Sequence, residues 1–509
     1  MGSTEGLMGR VGERRSRYPA APLSLAGALT LLLVSLSASF LGEPRRVATA
    51  RSEHLAAHPS ILVISVDTLR RDRLGCYGYA EARTPNIDTL AQQSAVFDDA
   101  TSPIPLTGPS HVTMLTGRYP TAHGVEANGV RIPAQSRTVA EALRSAGYST
   151  AAFVSGWTLR NEAVGLADRF DHYDDMLGGS WAFANVLDGF SLGRAAVRAA
   201  QKVTGYELLA HERLGVQTTE RALSWLAAQG EQPFFAVVHY FDTHGPHIRP
   251  SPSAISGAVA PAFDYRQAPR LQRAVLADPA RVKETLRAYD DEIAYVDSQV
   301  GALLTGLDRL GRRDDTFVVF TADHGESLTE HGWYFDHGEF VYETCVRVPL
   351  LIRFPDRRYA GIRWARQVRL VDLAPTILEL GGIDSDLAPV DGESVLAILE
   401  GNDTAARASF GSIRQGNGDE SRARYYVRAN GYKLIWNFDG RERVWRQPAY
   451  EEIYELTSDP NEERNLVGAA PPALAELRRT LRAWIPEDPR RMPEPAGDVR
   501  ERLHALGYL

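Results

Sequence analysis

The apolar positions of this chain fall into two kinds of stretch that take turns. Short runs at Ile61 to Val66, Ser149 to Val154, Phe234 to Val238, Thr316 to Phe320 and Arg347 to Ile352 are apolar almost throughout and lack the polar alternation of a strand wet on one face. Strands of that kind are buried on both faces, as in a parallel sheet covered by helices. Between them lie stretches with helical spacing, at Asn86 to Ser94, Thr138 to Ala146, Val216 to Gln229, Arg281 to Leu310 and Val371 to Leu380. The alternation predicts an α/β fold with a mostly parallel central sheet flanked by helices. Past about Asp403 the pattern shifts to short strands with polar flanks, Arg424 to Arg428 and Tyr432 to Trp436, with turn signals at Asn430-Gly431 and Asp439-Gly440. That predicts a small antiparallel C-terminal subdomain, completed by a helix over Pro472 to Trp484. The chain thus divides into a large domain over residues 60–400 and a subdomain over 401–509.

Ahead of the first strand the pattern is of another kind. Arg10, Arg14, Arg15 and Arg17 precede an apolar run and then the small residues Ser37, Ala38 and Ser39, so residues 1–45 read as an export signal. Counted from Ala20 to Leu41 the apolar stretch reaches the roughly 20 residues that span a bilayer, so the same segment also reads as an uncleaved anchor. The expected location is outside the cytoplasm, periplasmic or extracellular, free or anchored to the inner membrane through residues 20–41. Residues 46–59 read as a linker. Two irregular stretches interrupt the domain: residues 176–215, read as an insertion or lid, and residues 250–270, read as a surface loop.

Composition narrows the function only a little. The 509 residues carry a net charge of −8 with charges scattered, and no basic stripe of the kind that tracks nucleic acid. Nucleic acid is therefore excluded as a partner. Cys76 and Cys345 are too few for a disulfide scaffold and read as packing residues.

The candidate chemistry sits where the apolar runs stop. Ile61 to Val66 ends in Asp67, and Thr316 to Phe320 runs into Asp323-His324-Gly325-Glu326. In open α/β sheets ligands collect at such strand ends. The Phe234 strand delivers His239, Asp242, His244 and His247 within nine residues. Thr107, in Thr107-Gly108-Pro109-Ser110-His111, lies where a Pro-rich loop turns into a helix. A hydroxyl there faces unpaired backbone N–H groups and the positive end of a helix dipole, which favour a phosphate or sulfate ester. Taken alone, Thr107 is a helix cap.

Together these residues resemble the sulfatase family of the alkaline phosphatase superfamily. The resemblance rests on Asp67 with Leu74-Gly75-Cys76-Tyr77-Gly78, Thr84-Pro85-Asn86-Ile87-Asp88, Thr107-x-Pro109-Ser110, Leu115-Thr116-Gly117, Asp323-His324-Gly325 and Tyr342-Glu343-x-x-x-Arg347-Val348-Pro349, in that order. Tyr454-Glu455-Leu456 with Asp459-Pro460 looks like the family's small C-terminal sheet. The resemblance implies an ester hydrolase in which Asp67, Asp323, His324 and the Thr107 oxygen hold one divalent metal. The imidazole in that set favours Mn or Zn over Ca or Mg. His244 falls at the family's substrate-binding histidine, and His337 where the family carries a lysine. His111, His239, His244 and His337 are the expected substrate-binding residues, and Asp242, His247 and His337 an alternative second metal site.

The family pattern is broken at Thr107, His111, the Gly156/Thr158 pair and His337. Sulfatases carry a Cys or Ser that is oxidised to formylglycine, and Thr107 cannot become that aldehyde. His111 replaces an arginine, Gly156 and Thr158 replace a Lys and a His, and His337 replaces the lysine. A threonine on a metal is what phosphodiesterases and phosphoryl transferases of the superfamily use. The expected function is cleavage of a phosphate ester or diester, in a small molecule, glycan or lipid, with Thr107 as nucleophile and His244 or His337 binding the anion or protonating the leaving group. The alternatives are a sulfatase without formylglycine, a phosphoryl transferase, and a non-catalytic module that binds anionic glycans.

Overall fold

The computed structural model describes residues 58–177, 212–245, 247, 275–332, 335–384, 387, 389–402, 406–415, 422–439, 451–486 and 493–505. The leader, nearly all of the linker, most of the 176–215 insertion and the 250–270 loop lie outside the described residues.

The continuous apolar runs form the strands they predict. An eight-stranded sheet contains β1 (Ser60–Val66), β2 (Ala95–Thr101), β3 (Ser149–Phe153), β4 (His172–Asp174), β5 (Phe234–Tyr240), β6 (Thr316–Ala322), β7 (Arg347–Arg353) and β8 (Arg363–Arg369). Its order is β4-β3-β5-β1-β6-β7-β2-β8. Only β7 runs against the others, pairing antiparallel with both β6 and β2. Ile61, Leu62, Ile64 and Val66 of β1 are fully buried, as are Phe234, Phe235, Ala236 and Val238 of β5, which is why neither strand shows alternation.

Helices cover this sheet: α1 (Pro85–Gln92), α2 (Thr107–Thr116), α3 (Val139–Ser145), α4 (Gly215–Gln229), α5 (Pro279–Arg309) and α6 (Leu373–Leu380). Two of them start on strong local signals. Thr138 and Glu141 form a reciprocal capping box at α3, and the Asp278 side chain accepts from Ala280 N at the head of α5. Among the described residues no helix is long and apolar enough to cross a membrane. Both thiols are free, with Cys345 buried.

The C-terminal residues build a second sheet, ordered β12-β11-β10-β9 from β9 (Ser409–Gln415), β10 (Arg422–Ala429), β11 (Tyr432–Asp439) and β12 (Glu451–Glu455), all antiparallel. Its two faces do different work. Tyr425, Val427, Leu434 and Ile453 pack under Leu474, Leu477 and Leu481 of α7 (Leu474–Trp484), a helical stripe at i, i+3, i+7. Ile413, Tyr426, Ile435 and Tyr454 pack instead on Ile104, Val341, Cys345 and Val346 of the large sheet's loops. Hydrogen bonds reinforce that face. Ser412 N donates to Pro103 O at 2.8 Å, and the Tyr426 hydroxyl to Ser102 O at 2.7 Å. The small sheet therefore braces the segment that leads into Thr107.

Candidate metal centre and nucleophile

Register places the two carboxylates. β1 lies between β5 and β6, with Val66 level with Tyr240 on one side and with Ala322 on the other. The next residues of β1 and β6, Asp67 and Asp323, thus emerge side by side at the strands' carboxyl ends. Side chains alternate along a strand, and His239 is in register with Ser65, so His239 shares the face of Asp67. The contacts agree: His239 Nε2 is 3.3 Å from Asp67 Oδ2. The backbone beyond β1 is strained. Thr68 has φ +52°, an outlier for a β-branched residue, and is held there by its hydroxyl donating to Thr243 O and by the Thr243 hydroxyl donating to Asp67 O.

The helix α2 brings the hydroxyl to these carboxylates. Leu106 is its N-cap residue and Thr107 its first helical residue, so the Thr107 side chain caps nothing and instead donates to Asp67 Oδ2 at 3.2 Å. Ser110 Oγ donates to Asp323 O at 2.8 Å, which ties the helix to the end of β6. Gly108 N donates to Asn128 Oδ1 at 2.9 Å, a contact with no signal in the sequence.

The buried polar atoms left over define a cation site. Asp67, Asp323 and His324 are fully buried, and each offers a ligand atom within 4.8 Å of the others'. Asp67 Oδ1, Asp323 Oδ2 and His324 Nε2 have no hydrogen-bond partner among the described residues. Asp323 Oδ1, by contrast, is occupied by the N–H groups of Thr68 and His324. His324 Nδ1 lies 2.9 Å from Gly325 O, an acceptor only, so Nδ1 carries the proton and Nε2 presents a lone pair. Burial pushes Asp67 up to about 6, against the pull of His324 and His337. Burial, and then the Asp67 carboxylate, raise Asp323 as well. Two buried carboxylates and an orphaned imidazole nitrogen are the donor set of a divalent cation, whose charge reverses both shifts. The residues fit that ion.

Gly325 shows how tightly the ligands are seated. A Cβ there would stand 2.1 Å from Thr344 O, and its N–H donates to Cys345 O. Gly325→Ala is expected to destabilise the protein by about 1–3 kcal/mol through that overlap and to loosen its metal. Urea unfolding and metal content of the purified variant measure the two effects.

The remaining histidines separate by charge. His337 Nδ1 donates to Glu326 Oε2 at 3.2 Å. Burial opposes its charge, but Glu326, Asp336 and Asp67 prevail and lift His337 to about 9. Its ring packs 4.6 Å from that of His324 and 4.9 Å from that of His244. His244 is the opposite case. Burial and the neighbouring His337 hold it well below the usual histidine range, and its Nδ1 lies 2.8 Å from Gly245 O. Glu326, named in the Asp323-His324-Gly325-Glu326 run but given no role from the sequence, is the partner of His337.

The structure separates other expectations. His247 is held by Glu292 at 2.7 Å, and Asp242 accepts from Gly215 N at 2.9 Å. Asp242, His247 and His337 are not among the close ligand groups of the described residues. The groups that do form are Asp67–Asp323–His324 and His111–His239–Asp323. His111 and His239 are 3% and 0% exposed, as deeply buried as Asp67, Asp323 and Thr107.

Comparison with known proteins now bears on this geometry. The family model described as Sulfatase matches residues 59–383. The chain belongs to the sulfatase family. A second model, described as N-sulphoglucosamine sulphohydrolase, C-terminal, matches residues 329–488 of this sulfatase-family chain. An N-acetylglucosamine-6-O-sulfatase of Bacteroides thetaiotaomicron is 24% identical, with 93% of each chain covered. Arylsulfatase A of Homo sapiens is 26% identical, covering 87% of this chain and 90% of the other. The fold is shared with the phosphonate monoester hydrolase of Agrobacterium radiobacter, with a TM-score of 0.63, 23% identity, and 84% and 96% of the two chains covered. This sulfatase-family protein is an ester-hydrolysing enzyme, and enzymes of the family are metal-dependent.

Proposed function

We propose that this enzyme cleaves phosphate esters or diesters, with Thr107 as nucleophile. The observation that carries the reading is the Thr107 hydroxyl, fully buried at the first turn of α2 and donating to Asp67 Oδ2 at 3.2 Å beside Asp323 and His324. Asp67, Asp323 and His324, with the Thr107 oxygen, would hold a divalent cation, Mn or Zn by its imidazole donor. Such an ion lowers the pKa of a hydroxyl and stabilises charge on a transferred phosphoryl group.

The chain's own groups supply the rest. Thr107 Oγ1 attacks phosphorus in line, its proton directed to the Asp67 carboxylate in reach, and the bond to the leaving oxygen breaks. The charged His337 holds the anion and gives that oxygen a proton. This role falls to His337 rather than His244, whose burial keeps its ring neutral. Water then attacks the phospho-threonine and returns the hydroxyl. Two departures support phosphate over sulfate: a threonine cannot form the aldehyde that sulfatases of the resembled pattern use, and His337 stands in place of their lysine.

The site is reached by a small-molecule, glycan or lipid ester, and the leader over residues 1–45 puts the enzyme outside the cytoplasm, in the periplasm or beyond, or on the inner membrane through residues 20–41. The sulfatases among the relatives support sulfate esters as the second reading. Paired nitrophenyl sulfate, phosphate monoester and phosphodiester substrates, assayed on the metal-stripped enzyme reloaded with Mn, Zn, Ca or Mg, separate the two. Faster turnover of the diester than of the sulfate supports the proposal. Sulfate turnover alone overturns it.

His337 supplies a pH signature. The imidazolium is lost as pH rises through about 9 in the metal-free protein, and at lower pH once a cation neutralises Asp67, so kcat should fall along an alkaline limb. His337→Gln is expected to lower kcat about 10²-fold and to erase the limb. A variant that keeps the wild-type pH profile removes His337 from the chemistry.

A further inference from the structure

We infer that His111, His239 and Asp323 hold a second divalent cation, sharing Asp323 with the Asp67–Asp323–His324 centre. This goes beyond the proposed reaction and does not depend on which ester is cleaved.

Three independent observations converge. First, each of the three residues offers a ligand atom within 4.8 Å of the others'. Ligands at about 2.0–2.2 Å from one tetrahedral ion lie about 3.3–3.6 Å apart, so side-chain shifts of about an ångström close the shell. Second, the donors are incomplete as they stand. His111 Nε2, both nitrogens of His239 and Asp323 Oδ2 are buried without a hydrogen-bond partner among the described residues. A buried polar atom left unsatisfied costs about 1–3 kcal/mol, and the nearest charge to His239 is Asp67 Oδ2, 3.3 Å from its Nε2.

Third, the tautomer of His111 is set for ligation. Its Nδ1 lies 2.8 Å from Thr107 O and 3.8 Å from Asp323 Oδ2. A carbonyl only accepts, so Nδ1 carries the proton and Nε2 is left with a lone pair, as in histidine ligands oriented by a backbone oxygen. The same bond links the proposed ligand to the backbone of the nucleophile, one helical turn away. His239 stands between the two centres, its Nε2 3.3 Å from Asp67 Oδ2 and its ring 4.9 Å from that of His111, edge to face.

The donor set is two imidazoles and a shared carboxylate. It suits Zn, Mn or Co better than Ca or Mg, and three protein ligands leave a position open for a substrate or water oxygen. Position 111 is where the family pattern has an arginine. The positive charge that the arginine brings would here come from the ion.

The test is metal content and spin coupling in the full chain, stripped with chelator and titrated with Mn. The wild type is expected to take up two equivalents. At full occupancy its electron paramagnetic resonance should be that of a coupled pair in place of the six-line spectrum of isolated Mn. His239→Gln and His111→Gln should each retain one equivalent with the six-line spectrum, circular dichroism confirming the fold. A wild type saturating at one equivalent with an uncoupled spectrum overturns the inference. So do two coupled ions in both variants, which would put the second ion elsewhere. If the variants fail to fold, the wild-type stoichiometry and spectrum decide. Two coupled ions in an enzyme that cleaves only sulfate esters would leave this inference standing and overturn the proposed function alone.

Discussion

Thr107→Ala is expected to lower phosphodiester turnover at least about 10⁴-fold while leaving the protein folded and metal-loaded. Loss of a nucleophile removes the covalent step itself, and what survives is the electrostatic contribution of the remaining site. The fold should tolerate the change, because the hydroxyl makes one hydrogen bond, to Asp67, and an intramolecular bond contributes about 1 kcal/mol. Asp67, Asp323 and His324 stay in place, so the metal should still bind at saturating concentration, with its affinity lowered by the loss of the Thr107 oxygen. Single-turnover assays on the diester, with metal content measured on the same sample, make the comparison. A variant that still cleaves its ester at a wild-type rate would move the nucleophile elsewhere.

Stripping the metal is the second large effect, and its size should depend on pH in a stated direction. A ligand at about a thousand times its Kd stabilises the native state by about 4 kcal/mol. In the stripped protein Asp67 is raised to about 6 by burial, above its ordinary value of 3.8. The native state therefore keeps a proton that the unfolded chain releases. Stability then falls by about 3 kcal/mol as pH rises from about 4 through about 6. The loaded protein escapes that loss because the cation pairs with the ionised carboxylate, and the ion is displaced by protons as pH falls below about 6. The gap between loaded and stripped protein should open between about pH 5 and pH 7. Urea unfolding of both forms at each pH measures it, and a gap independent of pH would take Asp67 out of the metal shell.

The strands that position the site were the most legible part of the fold. β1, β5 and β6 are buried on both faces, and unbroken apolar runs ending in Asp67 and Asp323 announce them. β2 gives no such signal. Asp98 and Asp99 interrupt it, and the ladder shifts register there. Those carboxylates are answered by Arg347, Arg363 and Arg428 from distant positions, which no local pattern can reveal. β8, Arg-rich at the sheet edge, hides for the same reason.

Within the site, Asp67, Thr107, Asp323 and His324 were readable because each terminates or begins an element. The pairing of His337 with Glu326, the occupation of His247 by Glu292, and the depth of His111 and His239 depend on contacts across the fold. A list of histidines does not show which one a carboxylate has already taken.

The bonds from the small sheet to Ser102 and Pro103 bear on the order in which the site is assembled. Ser412 and Tyr426 lie more than 300 residues beyond the loop they brace, so they are synthesised well after it. An incomplete chain can assemble much of the large sheet with the approach to Thr107 still unsupported. During synthesis the loop before Thr107 is therefore made first and gains its brace only when β9 and β10 follow.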